Sequence, residues 1–465
     1  MRFLGSGLLG GLGIALVACN NPMLLLDVEI DYLPMGTTQL VLVTTVNGKP
    51  GREQHLSPDQ RRIAIHLPQG SSGTVGVRVY GMDAGECILT EGSLDAEVPQ
   101  NFNRTEAYAI QLARPSDTKK CSFSAQQLGI APPAPSLRAV WGSDPDHVYV
   151  VGGGGNGSSA DVVRRCPSDN TACAALSLPM PGSSGYANQA VWGSDAKNVF
   201  VVNSLGRVLH CGGEQSDCAL MVPDGASGDL IAVWGTDAEN VYAVGNGGKI
   251  LRCQASSNRC TVLDSSSQPF FTGVWGSSAE YVYAVGGNTY SPFAGSVSRC
   301  RGSSRTCVPL QIPSSPSLAA VWGSDPEHVY VAGSNGTLLR CSAASDVCTS
   351  INSGTTANLL RIWGEDSGRF FVVGDKAILR CQVSDDSCTT LSTGLTARFE
   401  GVWGSDANNV YAVGYSGSIV RCSSDSDACV PLTSGVTNHF HSVFGTDSNN
   451  VYVVGDGGTI LRRRL

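Results

Sequence analysis

Residues 230–263 have the sequence LIAVWGTDAENVYAVGNGGKILRCQASSNRCTVL, and this unit decides the fold of most of the chain. Runs of β-branched and aromatic residues alternate in it with clusters of Gly, Ser, Asp and Asn, a pattern that predicts short strands separated by turns. The Asn246-Gly247 pair favours a tight hairpin, because a positive φ angle costs little there. We predict strands A, B, C and D at Leu230–Trp234, Val241–Val244, Lys249–Cys253 and Cys260–Leu263.

The same unit recurs through residues 137–465. An aromatic residue before Gly marks each copy, and the seven tryptophans of the chain all occupy this position: Trp141, Trp192, Trp234, Trp275, Trp322, Trp363, Trp403 and, in the last copy, Phe444. A second aromatic residue follows each marker: Tyr149, Phe200, Tyr242, Tyr283, Tyr330, Phe371, Tyr411 and Tyr452. A four-stranded unit of about 40 residues that recurs in this way is typical of a β-propeller, with a solenoid as the main alternative.

The two ends of the repeat region predict the number of blades. The eighth copy stops after strand C, at Leu465, and Cys121–Leu128 matches an isolated strand D just before the first copy. We therefore predict an all-β protein in which residues 119–465 form an eight-bladed β-propeller. Its N-terminal strand would pair with the C-terminal hairpin, and this closure would remove the open sheet edges.

The copies, such as V-W-G-S-D-A-N-N-V-Y-A-V-G at 402–414, resemble the V-W-G-S-x-x-x-D-V-Y-A-V-G repeats of a family of secreted bacterial propeller proteins that is common among myxobacterial-type lipoproteins, although Asn stands here in place of the Asp before Val-Tyr. The resemblance covers the repeat region, residues 137–465, and a similar stretch occurs in each copy. It implies a β-propeller fold and a location at the cell surface, and it implies no activity.

The N-terminus, MRFLGSGLLGGLGIALVAC, carries one positive charge before a short apolar run, as a secretory signal does. Leu16-Val17-Ala18-Cys19 resembles a bacterial lipobox, which implies cleavage before Cys19 and lipidation of its thiol; an ordinary signal peptide is the alternative. We predict a signal peptide at 1–18, a lipidated tether at 19–23 and a membrane anchor of acyl chains. The protein would be extracytoplasmic, and Asn20 favours the outer membrane or surface of a Gram-negative bacterium.

Residues 24–118 lack the repeat and predict a small Ig-like β-sandwich, because about seven short strands fit this length. The strand-like runs are Leu24–Ile30, Gln39–Thr45, Arg62–Leu67, Thr74–Tyr80, Ile88–Glu91 and Tyr108–Leu112. With almost no linker after the lipid anchor, this domain would act as a spacer at the membrane.

Composition excludes one class of partner. The formal net charge is −8, and no basic stripe is present that could neutralise phosphates, so we predict no nucleic-acid binding. We expect a monomer and no cofactor.

The 17 cysteines follow the repeats. Seven copies carry a Cys-x6-Cys pair: Cys166 and Cys173, Cys211 and Cys218, Cys253 and Cys260, Cys300 and Cys307, Cys341 and Cys348, Cys381 and Cys388, Cys422 and Cys429. Each pair could instead supply half of the ligands of a zinc site. However, zinc needs four clustered ligands, and no His recurs beside the pairs. We therefore predict disulfides across the C–D hairpins and no metal. Cys87 and Cys121 remain, and we predict a bond between them that joins the two domains.

Loop lengths place the variable segments on one face of the propeller. The A–B and C–D intervals are constant, whereas the B–C and D–A connections carry every insertion. The inserts are residues 152–160 and residues 287–295 with Tyr290 and Phe293, and Tyr186 lies in a long D–A connection. Variable loops on a rigid scaffold are common binding sites, with neutral drift as the alternative.

Strand A should line the channel and begin at that same face. Five polar residues on consecutive copies would converge at the channel mouth: Arg361, Glu400, His441, Arg138 and Gln189. Converging polar groups predict a ligand site, and an ordinary rim of solvated ion pairs is the alternative.

Motifs for hydrolases, zinc peptidases and phosphate loops are absent from the sequence. We therefore predict a cell-surface binding scaffold that presents the insertion-bearing face to a protein or glycan partner. One alternative is a glycan-active hydrolase or lyase that uses Glu400, His441 and Arg138, although hydrolysis would call for a second carboxylate. The other is a purely structural envelope protein.

Overall fold

A computed structural model describes most of the chain. The described ranges are 23–30, 33, 37–60, 62–67, 72–82, 87–99, 106–112, 120–121, 123–126, 134–154, 162–168, 172–179, 186–212, 217–223, 228–265, 270–287, 294–313, 316–365, 368–448 and 450–463. The predictions for Cys19, Tyr290 and Phe293 lie outside them. Within these ranges, no helix has the length and apolar character needed to cross a membrane.

The contacts of the chain divide it into two compact units, Met1–Asp83 with Ile88–Thr118, and Ala84–Cys87 with Lys119–Leu465. The first unit is built from strands β1 Met23–Ile30, β2 Gln39–Val46, β3 Lys49–Leu56, β4 Arg62–His66, β5 Gly73–Met82, β6 Cys87–Val98 and β7 Glu106–Leu112. One sheet has the order β4-β1-β7, with β1 antiparallel to β4 and parallel to β7. The other contains β3, β2, β5 and β6 in that order, all antiparallel.

Both sheets of this unit contribute to one hydrophobic core. Leu40 and Leu42 lie on one face of β2, as the pleat requires, and pack with Ile63 and Ile65 of β4 and Ile110 of β7. Val41 and Val43, on the other face of the strand, are buried as well. The core therefore holds the two sheets face to face.

Strand β3 was not among the runs predicted from the sequence. Its sequence, KPGREQHL, is polar and contains Pro and Gly, so strand propensity gives no signal. The strand forms because Asn47 and Gly48, with φ angles of 50° and 75°, turn the chain back onto β2.

The second unit begins with β8 Lys120–Cys121 and β9 Phe123–Gln126 and continues with the eight sequence repeats. Repeats 1 to 4 contain, in order A to D, β10 Leu137–Gly142, β11 Val148–Gly152, β12 Val162–Cys166, β13 Ala174–Ala175; β14 Asn188–Asp195, β15 Asn198–Asn203, β16 Val208–Cys211, β17 Ala219–Pro223; β18 Leu230–Asp237, β19 Asn240–Gly245, β20 Ile250–Gln254, β21 Arg259–Ser265; β22 Phe270–Ser278, β23 Tyr281–Gly287, β24 Gly295–Cys300 and β25 Thr306–Pro309. Repeats 5 to 8 contain β26 Leu318–Asp325, β27 His328–Gly333, β28 Leu338–Cys341, β29 Thr349–Ile351; β30 Leu359–Glu365, β31 Arg369–Gly374, β32 Ala377–Gln382, β33 Cys388–Thr390; β34 Phe399–Gly404, β35 Val410–Gly414, β36 Ile419–Cys422, β37 Val430–Leu432; β38 Phe440–Asp447, β39 Asn450–Gly455 and β40 Ile460–Arg463.

Strands A to D of each repeat pair antiparallel in chain order. The two marker aromatics lie opposite each other, as Trp234 and Tyr242 do in repeat 3. Strand β9 is the fourth strand of repeat 8, because it pairs antiparallel with β40 from Gln126 and Ile460 to Phe123 and Arg463. The N-terminal segment of this unit thus covers the outer edge of the last hairpin.

The innermost strands contact each other in chain order from β10 to β38, and β38 contacts β10. Four-stranded antiparallel sheets arranged around a ring of inner strands make a β-propeller.

Neighbouring repeats pack through the marker residues. The second aromatic of every repeat is buried in a hydrophobic cluster between sheets. The Trp of one repeat lies against the Gly that follows the marker in the next: a Cβ built on Gly404 would lie 2.6 Å from Cη2 of Trp363, and one on Gly235 would lie 2.7 Å from Cη2 of Trp192. Glycine is therefore needed in the Trp-Gly pair because the indole of the preceding repeat occupies the space of a side chain.

The seven predicted C–D disulfides are confirmed, between Cys166 and Cys173, Cys211 and Cys218, Cys253 and Cys260, Cys300 and Cys307, Cys341 and Cys348, Cys381 and Cys388, and Cys422 and Cys429. In repeat 3 the two cysteines are direct cross-strand partners, which brings their sulfur atoms together without a change in the hairpin. The side chains of Cys87 and Cys121 lie outside the described part of the structure.

Arginines of strand C add polar contacts between repeats. The Arg299 guanidinium lies 2.5 Å from Asp346 of repeat 5, and that of Arg380 lies 2.8 Å from Asp427 of repeat 7. Arg462 of repeat 8 donates to the carbonyl oxygen of Ser168 in repeat 1 at 2.8 Å, so the same type of contact joins the last repeat to the first.

Candidate functional site

The B–C turns and the D–A connections lie at one end of the strands, which we call the B–C face; the A–B turns and C–D hairpins form the opposite A–B face. The turns on the B–C face are tight. Lys376 and Ser416 each have a φ angle of 57°, in the left-handed region that side chains seldom adopt. These turns hold their side chains at defined positions beside the start of the inner strands.

Glu400 and His441 lie at a bulge near the start of strands β34 and β38. The pairing register shifts between Phe399 and Gly401 and between Phe440 and Ser442, so the residue between each pair has no direct cross-strand partner. A bulge redirects the side chain of its extra residue. Here it allows two polar side chains to meet at the B–C face.

A continuous chain of ionic contacts links repeats 6, 7 and 8 at this face. Arg398 donates from Nη1 to Asp375 Oδ1 and from Nε to Glu400 Oε1, both at 2.9 Å. His441 bridges two carboxylates, with Nδ1 3.0 Å from Glu400 Oε2 and Nε2 2.9 Å from Asp456 Oδ1. We call Asp375, Arg398, Glu400, His441 and Asp456 the ionic chain.

Further side chains hold the two ends of the ionic chain. Asn358 donates from Nδ2 to Asp375 Oδ2 at 2.8 Å, and the Ser136 hydroxyl donates to Asp456 Oδ1 at 2.6 Å. Ser136 precedes the inner strand of repeat 1, so the polar contacts extend from repeat 6 through the last repeat to the first.

The protonation states follow from these contacts. Hydrogen bonds to Glu400 and Asp456 raise the pKa of His441 above its ordinary value, and this effect outweighs the opposing effect of burial. Burial raises the pKa of Glu400, but the hydrogen bonds from His441 and Arg398 outweigh it and the net shift is downward. The pKa of Asp456 is also lowered, because the bonds from Ser136 and His441 outweigh its burial.

These pKa shifts bear on hydrolysis. A glycosidase general acid needs a carboxyl group with a raised pKa. Both carboxylates beside His441 have lowered pKa values and accept hydrogen bonds from cationic groups. The arrangement therefore favours charge recognition over proton donation to a leaving group.

The structure brings only some of the predicted channel residues together. Glu400 and His441 are in direct contact, whereas Arg361 is exposed and interacts with Glu400 only at longer range. Arg138 is exposed and Gln189 is half-buried, and in the described part of the chain the side chain of neither makes a hydrogen bond or an ion pair. Tyr186 was predicted to be available in a loop, but it is 4% exposed, with the guanidinium of Arg207 6.0 Å from its ring centre. It is a packing residue.

Sequence reasoning missed Arg398, Asp375 and Asp456. A signal was available: Asp375 and Asp456 each follow the glycine that ends strand B, so they occupy equivalent turns in repeats 6 and 8. Only the fold shows that this turn lies beside the bulge residue of an inner strand.

A cavity of about 720 Å³ opens on the B–C face between the B–C turns of repeats 6 and 7. Lys376, Arg398 and Tyr415 are among the residues that line it. The Tyr415 ring is 38% exposed, packs 4.2 Å from the His439 ring centre, and has the Arg398 guanidinium 5.8 Å from its own centre. The cavity offers an aromatic surface beside two cationic side chains.

The A–B face also has a concave region, of about 800 Å³, lined in part by Arg340, Arg369 and Gln382. Asp residues in the A–B turns at this face cap those turns. Asp237, for example, accepts hydrogen bonds from the backbone N–H of Glu239 and the side chain of Asn240. Among the described residues, no cluster of three or more His, Cys, Asp or Glu side chains could hold a metal ion.

The ionic chain predicts a pH-dependent stability. Because the pKa of His441 is raised on folding, its protonation stabilises the folded state below the unfolded value near 6.5, and that contribution is lost as the pH rises through the folded value. We expect His441→Gln to lower the melting temperature more at pH 6 than at pH 9, as measured by thermal denaturation across this range.

His210 provides a control for which we expect the opposite pH dependence of stability. It is stacked on Phe200, and burial lowers its pKa, so its effect on stability becomes unfavourable as the pH falls through its unfolded value. His210→Gln should therefore shift the pH profile in the other direction. A profile for His441→Gln parallel to that of the wild type would contradict the role assigned to the ionic chain.

No protein-family model matches this chain, and no curated protein matches it. Solved structures do. "YCF48 bound to D1 peptide" is 13% identical, with a TM-score of 0.52, and the alignment covers 74% of this chain and 98% of that one. The computationally designed Ika8 protein is 14% identical (TM-score 0.56, 71% and 97% covered), and the C-terminal WD40 domain of Sif2 is 11% identical (TM-score 0.54, 71% and 96% covered). These similarities show the fold, which is propeller-like.

Proposed function

We propose that this protein is a cell-surface lipoprotein that binds a partner through the B–C face of an eight-bladed β-propeller, carried on an Ig-like sandwich. The eight repeats, the contact between β38 and β10, and the pairing of β9 with β40 support the blade number. The two sheets with a shared core support the sandwich. The apolar N-terminus that ends in Leu16-Val17-Ala18-Cys19 supports a lipid anchor at the outer membrane or cell surface.

The observation that carries the binding role is the ionic chain beside the 720 Å³ cavity. Partly buried ion pairs must be held in good geometry to offset the desolvation of their charges. Their side chains lose little further freedom when a ligand binds, because the turns and bulges already fix them. A rigid charged rim around an aromatic surface is suited to recognition.

The partner that we favour is a protein. One structure of similar fold has a bound peptide according to its name, and another is a WD40 domain. Tyr and Arg are enriched at the centres of protein interfaces, and Tyr415 and Arg398 lie together at the cavity. A glycan ligand remains an outcome that the experiment below distinguishes.

Face-directed variants test the proposal. Partners would be captured on the mature protein by cross-linking at the surface of the native cells, identified, purified and titrated. Tyr415→Ala with Lys376→Ala should weaken the affinity for a true partner by about tenfold or more, as for central interface residues. The matched control on the A–B face is Arg369→Ala with Gln382→Ala, for which we expect less than about a twofold change.

A loss of affinity confined to the A–B face variant would contradict the proposal that the B–C face binds the partner. Saturable binding of purified surface glycans in place of any protein would assign a glycan partner. If no purified candidate binds with a measurable affinity, the purely structural role would replace the binding role.

The lipid anchor is tested separately. Cys19→Ser should abolish incorporation of radiolabelled palmitate and release the protein from the membrane fraction. Retention in the membrane without label would contradict lipidation at Cys19.

A further inference from the structure

One position of the inner strands differs in a single repeat. The residue two places before the marker aromatic pairs with strand B in every repeat, and Arg361 pairs there with Val373. The seven equivalent residues are all small: Ala139, Ala190, Ala232, Gly273, Ala320, Gly401 and Ser442. Repeat 6 therefore has a long arginine side chain at a position where the seven other repeats have at most a hydroxymethyl group.

The glycines show which way a side chain at this position starts. A Cβ on Gly273 would lie 3.5 Å from Cα of Ala320, and a Cβ on Gly401 would lie 3.1 Å from Cα of Ser442. Both neighbours belong to the inner strand of the following repeat. The long side chain of Arg361 must therefore extend past the next inner strand, and it is in fact exposed to solvent.

Arg361 has little internal compensation for its charge. Its hydrogen bond in the described residues is to the carbonyl oxygen of Leu360, at 2.8 Å, whereas a guanidinium has five N–H donors. The acidic group that affects it electrostatically is Glu400. The two oxygens of Glu400 already accept from Arg398 and His441, so this carboxylate is engaged elsewhere.

The surroundings of Arg361 disfavour an isolated positive charge. The protein around it lowers the pKa of the guanidinium, mainly by desolvation, and the interaction with Glu400 opposes this effect while Arg398 adds to it. The side chain is nevertheless exposed to solvent. A bound anion would supply the missing compensation.

We propose that Arg361 anchors a carboxylate group that enters the ring of inner strands, delivered by an acidic side chain of a partner protein or by a free small carboxylate. A planar guanidinium with free N–H donors matches the two oxygens of a carboxylate. This proposal rests on the proposed binding function and names the chemical group that the site receives.

The test uses probes with and without a carboxylate. Acetyl-Gly-Glu-Gly-amide, acetyl-Gly-Gln-Gly-amide and sodium acetate would be titrated at constant ionic strength into the mature protein and followed by nuclear magnetic resonance. We expect the Glu peptide to bind at least about tenfold more tightly than the Gln peptide, as for a charge-assisted contact. Arg361→Ala should remove this preference. Arg361→Lys should retain part of it, because Lys keeps the positive charge but lacks the parallel N–H donors of the guanidinium.

The Ala variant is expected to fold, because Ala occupies the same position in four other repeats, and its melting temperature verifies this. Arg138→Ala, which removes an exposed arginine on another inner strand, is the matched control and should keep the preference. If acetate binds as tightly as the Glu peptide, the source is a free carboxylate; if only the peptide binds, it is an acidic side chain. Equal binding of the Glu and Gln peptides, or an unchanged preference in Arg361→Ala, would overturn the proposal.

The outcome is separable from that of the proposed function. If a partner captured on the B–C face binds Arg361→Ala as well as the wild type, the carboxylate anchor fails and the binding face stands. If no partner is found but the Glu peptide shows an Arg361-dependent preference, the anchor stands and the macromolecular binding role fails.

Discussion

Replacing Cys253 and Cys260 together by Ala is expected to lower the free energy of unfolding by about 2.5 kcal/mol. The bond joins residues seven apart, and the loss of loop-closure entropy from the unfolded chain sets this magnitude. Both cysteines are fully buried, so Ala is chosen to avoid placing a hydroxyl group in the core. The measurement is the denaturant midpoint of the mature protein, with the slope checked for a change in cooperativity.

The pair Cys381 and Cys388 provides a matched comparison. Its loop has the same length, so Cys381→Ala with Cys388→Ala should cost a similar amount. Full reduction should erase the difference between the wild type and each double variant. A midpoint unchanged by either replacement would show that these hairpins gain no stability from their bonds.

Gly404→Ala is expected to destabilise the propeller by about 1–3 kcal/mol, the usual cost of overpacking. The added methyl group would lie 2.6 Å from Cη2 and 2.8 Å from Cζ3 of Trp363, and real Cβ atoms do not approach other atoms so closely. The indole cannot move away easily, because it packs 6.3 Å from the ring of Phe371. Thermal and denaturant unfolding would measure the effect.

A double-mutant cycle identifies the cause. In a Trp363→Phe background, the same Gly404→Ala change should cost clearly less, because the smaller ring leaves room for the methyl group. Phe is compatible with this position, since Phe444 occupies it in repeat 8. Equal costs in both backgrounds would assign the requirement for glycine to the backbone and not to the ring.

Most of the propeller was predictable because its information is local and repeated. The period-two alternation of apolar residues, the turn residues and the recurring cysteine pairs each report on a single hairpin, and the repeats confirm one another. The confirmed disulfides follow from this regularity. Strand β3 was missed because its own residues carry no strand signal, although the Asn47-Gly48 turn that pairs it with β2 is visible in the sequence.

The candidate site was predicted only in part, for a physical reason. Glu400 and His441 share one repeat position, so comparison of the copies indicated that they would meet. Arg398 lies in a D–A connection, whereas Asp456 lies in a B–C turn. Comparing the copies at a single repeat position therefore cannot show that these two residues belong to the same chain of contacts. Tyr186 shows that a place in a long connection does not determine exposure, since tertiary packing buries this ring.

The sequence by itself determined the β-propeller fold, the repeat boundaries and the cysteine pairs, because each depends on contacts between residues close in the chain. Tertiary structure decided which charges meet and which do not. The ionic chain joins Asp375, Arg398, Glu400, His441 and Asp456 across three repeats. Among the described residues, the guanidinium of Arg361 donates instead to the carbonyl oxygen of Leu360. Charge pairing at the B–C face depends on distances between turns and bulges of different repeats, and only the packing of those repeats sets them.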